Sequence, residues 1–170
     1  MSPRRAEPEP ASADGVPPRV APAIRRVLET CLYVDDVRTA REWYARVLGL
    51  REHTFDPPKQ VFFALDGAML LLFDVAEKRR ASREEVPTHG ATGPGHVAFA
   101  VTPDELAAWE RRLTAEGVAI EQRHEWPGGG RSLYFRDPAG NSLELATREI
   151  WFRGEAPSPD EASPHETLRG

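Results

Sequence analysis

The chain has 170 residues, a formal net charge of -5, 40% hydrophobic and 29% charged residues. This is the composition of one water-soluble globular domain with tails, and an acidic chain is a poor partner for nucleic acid. Its single cysteine, Cys31, excludes an intrachain disulfide, and no apolar run is long enough to span a bilayer. With no apolar signal-peptide core at the N-terminus, a cytoplasmic location is the default expectation.

Residues 1–23 are rich in Pro, Ala and Glu without apolar periodicity, and residues 154–170 share that character. Both are expected to be disordered tails around one domain over 24–153. Within it, module one is expected over 26–75, a polar linker loop over 76–94, and module two over 95–148.

Arg26 to Val34 alternates as a strand, with Glu29, Cys31 and Tyr33 on one face. Asp35-Asp36 then offers an N-cap, Val37, Ala40, Tyr44, Val47 and Leu48 follow at helical spacing, and Gly49 is placed to end the helix. Leu50–Phe55, Gln60–Leu65 and Ala68–Phe73 read as three short strands separated by Pro57-Pro58 and Asp66-Gly67. Met69, Leu71 and Phe73 share a strand face and form a candidate apolar pocket wall.

The second half repeats this order. Gly95–Val101 reads as a strand, and Thr102-Pro103-Asp104-Glu105 is a capping box with Pro at the first helical position. Leu106, Trp109 and Leu113 mark the buried side of the helix, which ends at Gly117. Val118–His124, Arg131–Arg136 and Asn141–Ala146 supply three strands, the last two joined by the turn Asp137-Pro138-Ala139-Gly140. Glu29–Val34 aligns with His96–Val101 at an offset of 67, and Asp66–Leu71 with Ala139–Glu144 at an offset of 73. The chain is therefore a duplicated βαβββ unit. The expected fold is α+β, with two βαβββ modules forming a cupped eight-stranded mixed, mostly antiparallel sheet and helices outside.

The duplication makes Glu29 equivalent to His96 and Leu71 equivalent to Glu144. Alternation puts Glu29, His96 and Glu144 on the polar or small-residue face of their strands, where closure about a pseudo-twofold axis would gather them. An imidazole and two carboxylates form an N,O donor set suited to Mn, Fe(II), Co, Ni or Zn, with Leu71 removing a fourth protein ligand. Taken singly, Glu29 also reads as a strand-edge carboxylate and His96 as a structural histidine. Glu144 is the most pointed case, because a charge aimed into a cup needs a partner.

Here the sequence resembles the vicinal oxygen chelate superfamily, which includes glyoxalase I, extradiol dioxygenases, fosfomycin-resistance thiol transferases and bleomycin-resistance proteins. The similarity rests on Leu32-Tyr33-Val34-Asp35-Asp36 leading into Trp43-Tyr44-Ala45-Arg46-Val47-Leu48-Gly49-Leu50, on Gly95-His96-Val97-Ala98-Phe99, and on Tyr134 through Leu145. It implies that His96 and Glu144 stand at the second and last ligand positions, and that Glu29 stands where many members carry His. That departs from the two-His-one-carboxylate site of extradiol dioxygenases, and Leu71 departs from the Glu of glyoxalase I-like members. The resemblance also places Ser132 and Tyr134 beside substrate, as in thiol transferases of the fosfomycin group. It implies a homodimer as well, since members often pair modules between chains.

Other candidates are His89, in the loop Thr88-His89-Gly90, as a general acid or base or as a surface residue, and Cys31 as a pocket-lining residue or an inert packed thiol. Arg131 and Arg136 are candidates for binding an anionic substrate. Trp126-Pro127-Gly128-Gly129-Gly130 reads as a mobile loop with an aromatic lid or as a plain hairpin connection. Two functions follow from different classes: a divalent-metal-dependent enzyme acting on a small oxygen-bearing substrate, or a metal-free protein that sequesters a drug or metabolite.

Overall fold

The computed structural model describes residues 26–80 and 89–154. The expected tails lie outside the described residues, Gly154 apart, as do residues 81–88 of the loop expected between the modules.

Module one runs β1 (Glu29–Val34), α1 (Val37–Leu48), β2 (Arg51–Asp56), β3 (Gln60–Ala64), β4 (Met69–Asp74); module two runs β5 (His96–Val101), α3 (Pro103–Ala115), β6 (Ile120–Glu125), β7 (Arg131–Arg136), β8 (Ser142–Thr147). The helix starts and stops are those that the side chains dictate. Asp36 accepts a hydrogen bond from the Arg38 backbone N–H at the start of α1, and Gly49 ends it in the left-handed region at φ 66°. Thr102 and Glu105 form a reciprocal capping box on α3 with Pro103 inside it. Thr102→Ala should lower stability by about 1 kcal/mol, read as a fall of about 3 °C in thermal denaturation; an unchanged midpoint would show that the cap contributes nothing.

Both modules have the same strand order, β1-β4-β3-β2 and β5-β8-β7-β6, with the first strand parallel to the last and the other pairs antiparallel. Parallel pairing needs a long crossover, supplied here by α1 with β2–β3 and by α3 with β6–β7. The duplication extends to irregularities, because the register shifts across His53 in β2 and across Glu121 in β6.

The expectation of one cupped eight-stranded sheet is corrected here. The chain forms two separate four-stranded sheets. Each module completes its own ladder, and no strand of one pairs with a strand of the other. Side chains bridge the modules instead. Asn141 donates from Nδ2 to the Tyr33 carbonyl (3.0 Å) and accepts from the Gly95 N–H (2.7 Å), giving backbone groups at the β1 and β5 ends partners that no ladder provides. A Cβ at Gly95 would lie 2.8 Å from Leu32 Cδ2, so a larger residue there would displace the Leu32 side chain.

A second departure is α2 (Val75–Arg80), within the stretch expected to be loop. Asp74 caps it by accepting from the Glu77 N–H. The buried stripes of α1 and α3 and the Leu32/Val34, Leu70/Leu72, Leu133/Phe135 and Leu143/Leu145 faces make one continuous core. The opposite sheet faces carry Glu29, Cys31, Leu71, His96, Ser132, Tyr134 and Glu144. No described helix is long and apolar enough to cross a membrane.

Candidate metal centre

Strand β8 has Leu143 and Leu145 on its core side and Ser142 and Glu144 on the other. Glu144 lies between Ala98 of β5 and Tyr134 of β7 in register, and it is 5% exposed. A carboxylate so buried needs compensation. One oxygen, Oε2, lies 3.3 Å from His96 Nε2. The other, Oε1, is buried and has no partner of hydrogen-bond geometry.

The His96 ring is oriented from behind. Its Nδ1 lies 3.0 Å from the Ser142 carbonyl, which only accepts, so Nδ1 carries the proton. The other ring nitrogen, Nε2, is thereby turned toward the Glu144 carboxylate, and their 3.3 Å approach calls for a cation or a proton between them. A backbone carbonyl behind Nδ1 is also the arrangement that fixes metal-binding histidines. The donor set therefore fits a divalent metal held by His96 Nε2 and the Glu144 carboxylate.

Tyr134 stands over this pair, its ring 6.5 Å from the His96 ring and nearly parallel. Burial, then hydrogen bonding to Glu144 and its charge, push the Tyr134 hydroxyl above its ordinary value. It is protonated at neutral pH and serves as a donor. Tyr134→Phe should weaken divalent-metal affinity about tenfold with little change in stability, as calorimetric titration of the metal-free protein would measure; equal affinity would remove Tyr134 from the site. Ser132 is 1% exposed and accepts from Trp126 Nε1 at 2.9 Å, while Trp126 packs edge-on against His124 at 4.5 Å. Trp126 is thus tied down beside Ser132.

Glu29 opens β1 as His96 opens β5, and Leu71 and Glu144 are both third in their strands, as the duplication requires. Yet among the described residues no three His, Cys, Asp or Glu side chains stand close enough to hold a metal. One chain brings His96 and Glu144 together and leaves Glu29 apart. Glu29 lies instead on module one's free face with Cys31 and Tyr33. Cys31 is half-buried and pairs in register with Leu71, itself 8% exposed. Burial first, then the nearby Glu29 charge, push the Cys31 thiol up, against a smaller downward pull from Lys78. His89 joins this face too, with Nδ1 2.6 Å from the Tyr33 hydroxyl and its ring 4.8 Å from that of Phe73.

The arginines are engaged elsewhere. Arg131 donates to the Pro103 carbonyl at 3.1 Å and alternates with Leu133 and Phe135 onto the helix side of its sheet. Arg136 pairs with both carboxylate oxygens of Glu121. The alternation that placed Tyr134 beside Glu144 already put Arg131 on the other face. What sequence reasoning missed is the Ser142 carbonyl behind His96, for which the signal was the β5–β8 register.

Comparison with known proteins shows what the chain as a whole is similar to. The chain resembles the lactoylglutathione lyase of Agrobacterium tumefaciens, with 40% identity, a TM-score of 0.73, and coverage of 76% of this chain and 98% of that one. It is 28% identical to the metallothiol transferase FosB of Bacillus licheniformis over 123 residues, 71% of this chain and 73% of the relative. A glyoxalase/bleomycin resistance protein/dioxygenase from Nocardioides shares the fold at 23% identity and a TM-score of 0.62, over 82% of this chain and 93% of that one. The profile of one family matches residues 26–145, and the chain belongs to it: the glyoxalase/bleomycin resistance protein/dioxygenase superfamily.

Proposed function

We propose that the protein is a divalent-metal-dependent enzyme of this superfamily acting on a small substrate with neighbouring oxygen atoms. The observation that carries the reading is the buried, unpartnered Glu144 Oε1 beside a histidine whose Nε2 is presented by the Ser142 carbonyl. His96 and Glu144 would hold a Mn, Fe(II), Co, Ni or Zn ion, with Glu29 completing the set from the module-one face of a second copy in a homodimer. Such an ion, when bound, acts as a Lewis acid toward substrate oxygens. Tyr134 supplies a proton donor against that centre. Ser132, buried beside the same face, would position the Trp126 indole against the substrate. Cys31, Leu71 and His89 would border the substrate from the face that bears Glu29, with His89 as acid or base.

Lactoylglutathione is a thioester and the other relative's name specifies a thiol, so a thiol-linked substrate is the first class to assay. The test of shared ligation is complementation. Glu29→Ala and Glu144→Ala homodimers should each lose metal, while co-refolded mixtures should regain one intact site in mixed dimers. Absence of recovery, or metal retained in full by Glu29→Ala, would overturn the role of Glu29. The second reading, a metal-free sequestering protein, is favoured by the aromatic module-one face, where Tyr33 and Phe62 both pack on Phe73.

A further inference from the structure

His96 stands where a strand is least constrained. It is the first residue of β5, its pair with Ser142 is the first rung of the β5–β8 ladder, and β5 lies at the edge of its sheet. Strand ends of this kind fray unless something outside the ladder holds them. Here a chain of hydrogen bonds does so. The Gly95 N–H donates to Asn141 Oδ1 at 2.7 Å, the Ser142 N–H donates to the Gly95 carbonyl at 2.9 Å, and the Ser142 carbonyl accepts from His96 Nδ1 at 3.0 Å. Asn141 is itself immobilised. It is 1% exposed, and Asp137 accepts from its backbone N–H and from its Nδ2, each at 2.8 Å. The duplication supplies an internal comparison. Module one repeats the backbone bond, with the Met69 N–H donating to the Leu28 carbonyl at 2.9 Å, and its first rung pairs Glu29 with Met69. At the offset of 73 that relates the last strands, however, the place of Asn141 is taken by Ala68, whose methyl group accepts nothing. A βαβββ unit therefore closes its parallel pair without a side-chain amide. The added clamp belongs to the module that carries His96 and Glu144.

We infer that Asn141 is the positioning residue of the metal centre: by accepting from Gly95 it fixes the end of β5 and so aims His96 Nε2 at the Glu144 carboxylate. The inference rests on the metal reading for what this geometry serves, and on the hydrogen bonds alone for the geometry itself. The gain is preorganisation, since a ligand on a fraying strand end is correctly placed for only part of the time. The other half of the same amide does a different job. Asn141 Nδ2 donates to the Tyr33 carbonyl and joins the modules, whereas Oδ1 serves His96.

The test compares full-length, metal-free wild type, Asn141→Ala and Tyr44→Phe by NMR and by calorimetric titration with Ni²⁺. Tyr44→Phe is the control for stability, because it also removes a bond between the modules, to Asp137, but leaves Gly95 and Asn141 as they are. Long-range ¹H–¹⁵N spectra at about pH 8, above the ordinary imidazole range, report which His96 ring nitrogen carries the proton. Wild type and Tyr44→Phe should hold it on Nδ1. Asn141→Ala should show both tautomers and bind Ni²⁺ about tenfold or more weakly. If Asn141→Ala does not fold, amide exchange in the wild type decides: the Gly95 N–H should be as protected as amides inside the β5–β8 ladder. A Gly95 amide that exchanges like a frayed end, an Nδ1 proton equally fixed in Asn141→Ala, or the same release in Tyr44→Phe would each overturn the role of Asn141. Release of the tautomer in Asn141→Ala alone, with no Ni²⁺ bound by any of the three proteins, would refute the metal reading and uphold the positioning of His96.

Discussion

Glu144→Gln is expected to abolish divalent-metal retention while leaving the metal-free protein as stable as the wild type or more so. The two effects share a cause. Glu144 is a carboxylate at 5% exposure with one oxygen unpartnered, and its other oxygen faces a histidine nitrogen. Without a cation, such a charge carries a desolvation penalty that His96 and the Tyr134 hydroxyl offset only in part. An amide of the same shape removes the charge, so the metal-free fold should gain about 1 kcal/mol, or roughly 3 °C in melting temperature. Metal affinity should fall by a hundredfold or more, since the amide is a weak ligand and the site loses its negative charge. A carboxylate present only for structure would behave oppositely, and a clear drop in the melting temperature of metal-free Glu144→Gln would count against the metal role.

The largest loss of stability is expected at Asp137. Its Oδ2 accepts from the Tyr44 hydroxyl (2.9 Å) and Asn141 Nδ2 (2.8 Å), and its Oδ1 from the Ala139 N–H (3.0 Å) and Asn141 N–H (2.8 Å). Asp137 and Asn141 are 4% and 1% exposed and Tyr44 is fully buried. Tyr44 belongs to module one and Asp137 to module two, so one carboxylate clasps the halves. Burial, then the Asp137 charge, push the Tyr44 phenol far above its usual range, and it remains a donor. Asp137→Ala would strand several buried donors and should cost about 3–5 kcal/mol, a fall of about 10 °C or more in thermal denaturation. Tyr44→Phe removes one donor and leaves Asp137 three others, so its cost should be nearer 1–2 kcal/mol. Equal losses for the two variants would show that Asp137 acts only through Tyr44.

Much of this was legible in the residues, and the exceptions have physical reasons. Alternation across Arg131–Arg136 and Ser142–Thr147 places Glu144 and Tyr134 together, because strand periodicity survives whatever packs outside. The caps at Asp36 and Thr102 and the stop at Gly49 are local and appear where expected. Long-range arrangement is another matter. Nothing in the period of β1 or β5 says whether two sheets join, and here Asn141 takes the place of a ladder. Tyr44 reads as one more member of a helix's buried stripe and Asp137 as a turn residue, yet their partnership across the modules holds the halves together. Helix α2 spans only Val75–Arg80 and buries none of its residues, too little periodicity to announce itself. Glu29 is equivalent to His96 by strand position, but equivalence within two modules is not proximity, and one chain leaves it apart from the pair.

On the proposed reading, His96 and Glu144 are the metal ligands that one chain brings together. Calorimetric titration of Ni²⁺ or Mn²⁺ into metal-free, tag-free protein, repeated with His96→Ala, tests it most directly. Saturable binding of one ion per chain by the wild type, lost in His96→Ala, is the predicted result. Equal stoichiometry and affinity in the two proteins would contradict it.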